Sequence, residues 1–139
     1  MEATHTMVVE IITPELEPYR KEAAFVVVRA TDGELGVLPN HAPLIASLDI
    51  APIRLQSSDG QEQLVAVFGG FMEVDNNVVS IVTPDYELSD TIDVDRAERA
   101  RKRAEKRLAE RQEHIDMMRA QAALRRAMTR LQVSGKIEL

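Results

Sequence analysis

The chain has 139 residues, 45% of them apolar and none of them cysteine, which allows one compact core and leaves no room for a large catalytic one. Without cysteine there is neither a disulfide nor a thiolate zinc site, and no apolar run approaches the ~20 residues that span a bilayer. The net charge of −6 averages two unlike parts: residues 1–92 hold 4 Lys and Arg against 15 Asp and Glu, a balance of −11, while residues 93–139 hold 13 against 8, a balance of +5. A basic tail on an acidic body suits nucleic acid or an acidic protein surface as a partner. The N-terminus, MEATHTMVVE, lacks a basic region ahead of an apolar one, so the chain is expected to be soluble and unexported.

Residues 6–86 are a succession of short Val- and Ile-rich runs: TMVVEIIT, AAFVVVRA, APIRLQSS, EQLVAVFGGFMEV and NVVSIVT. Several alternate, as where Met72 and Val74 interleave with Glu73 and Asp75. Between the runs stand Thr31-Asp32-Gly33, Ser58-Asp59-Gly60 and Asp75-Asn76-Asn77, residues that tolerate positive φ or bond their own backbone. Close-spaced strands with this punctuation predict an antiparallel sandwich or barrel. Pro39-Asn40-His41-Ala42-Pro43 is a corner that two prolines make rigid and extended, a structured loop of a kind that can present a binding surface.

After Asp90 there is no Gly or Pro until Gly135, and Ala, Arg, Glu, Lys, Leu and Met dominate, all good helix formers. Two helices are predicted, at about 93–111 and 116–133, with Asp90 or Thr91 capping the first, Asp116 the second, and the weakest helical stretch between them. Met117, Ala120, Leu124, Ala127 and Leu131 form one apolar stripe, and Ala97, Ala100, Ala104 and Leu108 a narrower one. Small residues let the helices approach closely as an antiparallel hairpin. At about 25 cal/mol per Å² such narrow stripes offset little more than the ordering entropy, so the hairpin is expected to be an arm that can undock.

The usual catalytic constellations are absent from the sequence. His5, His41 and His114 stand far apart without HExxH spacing, so a metal site is not expected, and GELG and FGGF lack the GxxxxGK[ST] spacing of a phosphate loop. Their glycines read as turn and close-packing residues. On the helices, pairs such as Arg101 and Glu105 describe a solvated face. Arg126 and Arg130, one turn apart in line with Arg119 and with few acids beside them, are as well suited to phosphate.

The chain resembles the ε subunit family of bacterial F-type ATP synthases, called δ in mitochondria, over essentially its whole length. The resemblance rests on EIITPE near the start, GELGVLPNHAPLIASLDIAPIRL at residues 33–55, FGGFMEV at 68–74, IDVDRA at 92–97 and ALRRAMTRL at 123–131. It implies an α+β chain: an N-terminal antiparallel β-sandwich of about ten strands, residues 1–90, followed by a C-terminal two-helix hairpin, residues 91–139. It also implies a noncatalytic subunit at the cytoplasmic face of the cell membrane, peripheral, within a proton- or sodium-translocating synthase. The sandwich would bind the γ subunit and the c-ring. The helices would reach the catalytic α and β subunits and inhibit ATP hydrolysis.

In relatives that bind ATP, an [IL]DxxRA motif opens the first helix, and it falls here on Ile92, Asp93, Arg96 and Ala97. Further family positions fall on Glu87, Arg103, Arg126 and Arg130, implying a regulatory ATP, with or without magnesium, on the folded hairpin. The preceding stretch TPDYELSD, with Pro84 and Asp85, departs from the Ala-rich stretch of relatives that bind well. Two readings of Asp93 stay open: part of a nucleotide site, or an acid that complements the helix dipole and pairs with Arg96. The competing function is a small nucleic-acid-binding module using the basic helices, which the acidic body and the scarcity of stacking aromatics disfavour.

Overall fold

The structure is a computed structural model that describes residues 5–111 and 116–138; His114 and the link between the helices lie outside these. Eight strands precede two helices. The strands are β1 (Met7–Ile12), β2 (Tyr19–Ala23), β3 (Phe25–Ala30), β4 (Gly33–Val37), β5 (Leu44–Gln56), β6 (Glu62–Asp75), β7 (Val78–Val82) and β8 (Tyr86–Leu88). A 3-10 turn, Ser89–Thr91, leads into α1 (Val94–Glu110), and α2 (Met117–Ser134) follows.

The strand order is β2-β1-β7-β6-β5-β3-β4, with β8 pairing β6 beside it. Every pairing is antiparallel except β1 with β7, so the sheet is mixed where the sequence pattern suggested antiparallel pairing throughout. Strands number eight rather than about ten because β5 and β6, 13 and 14 residues long, each run unbroken through both layers.

Side-chain alternation shows how β6 achieves this. Val65 and Val67 point into the core at 0% and 1% exposure, and so do Met72 and Val74 at 0% and 1%. A strict period of two would carry odd-numbered residues inward throughout, so the strand changes face between Phe68 and Phe71. Gly69 and Gly70, with φ of 86° and 99°, sit at that change. At Gly70 an added Cβ would lie 1.9 Å from the Val82 carbonyl oxygen, so the position takes no side chain. The reading of close packing therefore holds at Gly70, whereas a Cβ at Gly69 would meet nothing nearer than 3.8 Å and its positive φ is what favours glycine there.

β5 changes face over the facing stretch, with Leu48 inward on one side and Ile53 and Leu55 on the other. Leu48 pairs with Gly70 and Ile50 with Phe68, so the two strands turn the corner in register. Over the same stretch β5 loses its pairing with β3, whose register shifts between Val27 and Ala30. Pro52 falls inside this interruption, where a missing N–H costs no ladder bond to β3.

The main core lies between the layers: Met7, Val9 and Ile11 of β1, Val26 and Val28 of β3, Val79 and Ile81 of β7 and their neighbours, all nearly fully buried. A second cluster forms on the outer side of the corner, where Ala66 and Phe68 meet Ile92 and Val133. Here the hairpin docks. α2 packs on β5, β6 and the Ser89–Thr91 turn, while α1 packs chiefly on α2.

Both helices lie within a residue or two of their predicted limits. Asp93, rather than Asp90 or Thr91, caps α1, its carboxylate accepting the Arg96 backbone N–H at 3.1 Å, and Asp116 caps α2 through Arg119 N–H at 3.1 Å. α2 ends at Gly135, φ 82°. Ala97 and Ala104 are buried on α1, and Ala120, Ala127, Thr129, Leu131 and Val133 on α2. At about 100° per residue Thr129 and Val133 lie opposite the predicted stripe, because α2 is covered on two sides, by the sheet and by α1. The hairpin thus buries more than its single stripe suggested.

Candidate functional site

Where α1, α2 and β8 converge there is a groove of about 640 Å³. It is lined by small residues, Ala97, Ala100 and Ala104 from α1 with Ala120 and Ala123 from α2, whose short side chains leave the space. Charge lines its rim: Arg96, Arg103 and Arg107 from α1, Arg126 and Arg130 from α2, Glu87 from β8, with Asp85, Thr91 and Asp93 at the mouth.

Of the residues expected at a site, Glu87, Asp93, Arg96, Ala97, Arg103, Arg126 and Arg130 all line this one groove. Ile92 does not. At 8% exposure it is packed against Phe68, Ala66 and Val133, anchoring the start of α1 on the sheet. Reasoning from the sequence missed Arg107, although its spacing was readable: Arg103 and Arg107 are four residues apart and Arg96 seven before Arg103, all on one helical face. It also missed Phe68, whose part depends on a contact between distant segments.

Arg130 is the cation most firmly held. Its Nε donates to Glu87 Oε1 at 2.8 Å, and its guanidinium lies 4.6 Å from the centre of the Phe68 ring. Both partners of the ion pair keep only about a quarter of their side-chain surface, at 28% and 24% exposure, so water screens it less than a surface pair. Glu87 is itself fixed by β8, since it pairs with Ala66 on β6. The ion pair therefore ties α2 to the sheet across one wall of the groove.

Asp93 acts through the backbone. It holds the first turn of α1 by its bond to Arg96 N–H, and the expected ion pair with the Arg96 guanidinium is not formed. Among the described residues Arg96, Arg103, Arg107 and Arg126 have no ion-pair partner, whereas Arg101, on another face of α1, is paired with both Glu98 and Glu105. The groove thus gathers four guanidiniums without an ion-pair partner among the described residues, beside Arg130, which Glu87 neutralises. Among the described residues no cluster of three or more His, Cys, Asp or Glu could hold a metal ion, and no helix is long and apolar enough to cross a membrane.

Residues 6–89 match the family model for the β-sandwich domain of the ATP synthase delta/epsilon chain, and residues 90–135 match the model for its long α-helix domain. The chain belongs to the delta/epsilon chain family of ATP synthases. Among relatives in this family, the ATP synthase epsilon chain of Syntrophomonas wolfei is 45% identical over 134 residues, covering 96% of this chain and 98% of that one. The epsilon chain of Symbiobacterium thermophilum is 47% identical over 133 residues, 95% of each. The fold is similar to that of a chain in the Euglena gracilis mitochondrial ATP synthase, with a TM-score of 0.79 at 20% identity, over 96% of this chain and 84% of that one. The delta/epsilon models meet within the Ser89–Thr91 turn, beside the mouth of the groove.

Proposed function

We propose that the chain is the noncatalytic ε subunit of an F-type ATP synthase, a central-stalk component peripheral to the membrane on its cytoplasmic face. Residues 1–90 join the γ subunit to the c-ring. Residues 91–139 form a regulatory arm that takes up ATP, with or without magnesium, when docked, and restrains hydrolysis when extended towards the catalytic α and β subunits. The observation that carries the regulatory part is the groove, in which guanidiniums from two helices face one space only because α1 lies against α2.

Gathering like charges costs Coulomb energy, and a polyphosphate relieves that cost by accepting hydrogen bonds from several guanidiniums at once. Arg126, half-buried and without an ion-pair partner among the described residues, is the principal phosphate ligand, supported by Arg96 and Arg103. Arg130 brings its Nη groups, since Nε is engaged by Glu87. Asp93 fixes Arg96 by capping and leaves its second oxygen for a ligand amino or hydroxyl group. Because an extended arm lacks this arrangement, ATP favours the docked form by its differential affinity alone.

Calorimetric titration of the intact chain with ATP is expected to show saturable binding that Arg126→Ala weakens at least about tenfold, or ~1.4 kcal/mol. Asp93→Asn, which keeps a cap of similar quality, separates the acid's charge from its helix-starting role. Equal affinity in wild type and Arg126→Ala would remove the arginine from the site, and no heat at millimolar ATP would reduce the IDVDRA stretch to a helix start.

Inhibition has a separate residue set. Arg111, Arg119 and Arg125 are exposed and lie outside the groove, which suits them to an acidic surface on the catalytic subunits. Replacing all three with Gln is expected to raise ATP hydrolysis by the assembled enzyme without changing ATP affinity for the isolated chain. An unchanged rate with the subunit still bound would rule out an electrostatic brake.

A further inference from the structure

We infer that Asn77 is a positioning residue for the rotor-binding surface, holding the two-proline loop of residues 38–43 in place through both ends of its side-chain amide. The inference rests on the reading of the sandwich as the part that binds the rotor.

Asn77 belongs to the two-residue turn between β6 and β7, where Asn76 and Asn77 have φ of 54° and 63°, the pair of positive values that a tight hairpin with right-handed twist requires. In that conformation its side chain reaches two segments distant in sequence. Its Oδ1 accepts the backbone N–H of Asn40 at 2.8 Å, and its Nδ2 donates to the carbonyl of Thr6 at 2.9 Å. The Asn77 carbonyl also accepts Val8 N–H at 3.3 Å. One residue thus ties the start of β1, the β6–β7 turn and the β4–β5 loop into a single unit.

What it fixes adjoins a group of exposed apolar side chains on the outer face of β5 and β6. Leu38 enters the loop at 59% exposure and Ile45 follows it at 74%. Leu44 pairs with buried Val74 and Ile45 with exposed Glu73, so Ile45 shares the outer face with Phe71, two residues back on β6 and 43% exposed. Asn40 has φ of 62°, so the loop passes through a left-handed residue at the point where Asn77 grips it. The prolines make the loop stiff, and the amide gives a stiff loop one orientation. A surface of this kind binds by being pre-formed, because little ordering remains to be done on association.

The test uses the full chain and the γ subunit and c-ring of the same synthase. Asn77→Gly keeps the positive φ and removes both side-chain bonds. It is expected to weaken assembly with the rotor at least tenfold, measured well below its melting temperature, and to speed amide exchange at residues 38–45 with little change in β3 or β7. Ile45→Asp, placed on the surface itself, is expected to weaken assembly as well. Should the glycine variant fail to fold, Asn77→Asp keeps the bond from Asn40 N–H and loses only that to Thr6. A smaller weakening of assembly with faster exchange at residues 38–45 is then expected, and no change in either would overturn the inference that both ends of the amide hold the loop. Unaltered assembly by Asn77→Gly while Ile45→Asp disrupts it would overturn the positioning role. Unaltered assembly by Ile45→Asp would show instead that this face does not meet the rotor, and would overturn the inference with the reading beneath it.

Discussion

Gly70→Ala is expected to destabilise the chain by about 3–5 kcal/mol, near the top of the range for single substitutions. Two costs combine. The backbone at Gly70 has φ of 99°, a region L-residues avoid, and the new Cβ would lie 1.9 Å from Val82 O and 2.9 Å from Val82 C. Relief requires β6 and β7 to separate where β6 changes face, and with that the alternation that buries Met72 and Val74 on one side and Val65 and Val67 on the other. Gly60→Ala is the control. Its φ is 87° but nothing lies within 4 Å of the added carbon, so it carries backbone strain alone, about 1–2 kcal/mol. Urea unfolding of the two variants checks this, and equal losses would show that the close approach of β6 and β7 contributes nothing.

Leu131→Ala is expected to cost about 2–5 kcal/mol, with much of the loss falling on hairpin docking rather than on the sheet. Leu131 is 0% exposed and the largest fully buried side chain on either helix. Since α1 packs chiefly on α2, loosening α2 loosens both. The variant should therefore bind ATP at least about tenfold more weakly although Leu131 is not among the residues lining the groove, because only the docked fraction of molecules is competent. Met118→Ala, at an 81% exposed position, should change neither quantity, with a stability effect within about 0.5 kcal/mol. A Leu131→Ala chain that lost stability but kept full ATP affinity would separate nucleotide binding from docking.

Much of this architecture could be read from the residues. The helix limits followed from helix-forming composition closed by Gly135, and the cap at Asp116 from its residue type. The gathering of Asp93, Arg96, Arg103, Arg126 and Arg130 around one groove followed from a resemblance, since spacing along a helix does not tell which faces of two helices will meet. Other features depended on tertiary context. The change of face in β6 was hidden because a Gly-Gly pair marks a special backbone without specifying which. The burial of Thr129 and Val133 was hidden because a one-sided amphipathic pattern does not describe a helix covered on two sides. The Arg130 contacts with Glu87 and Phe68 join residues 43 and 62 positions apart in the chain, beyond the reach of any local pattern.

The proposed stabilisation of the docked hairpin by ATP is tested most directly by amide hydrogen exchange on the intact chain, with and without the nucleotide. At a hundredfold excess over Kd, ATP bound as proposed would add about 2.7 kcal/mol to the docked state. Exchange should therefore slow up to roughly a hundredfold across α1 and α2, wherever it proceeds through undocking, and stay unchanged in β1, β3 and β7. Helices that exchange at the same rate with and without saturating ATP would contradict the account.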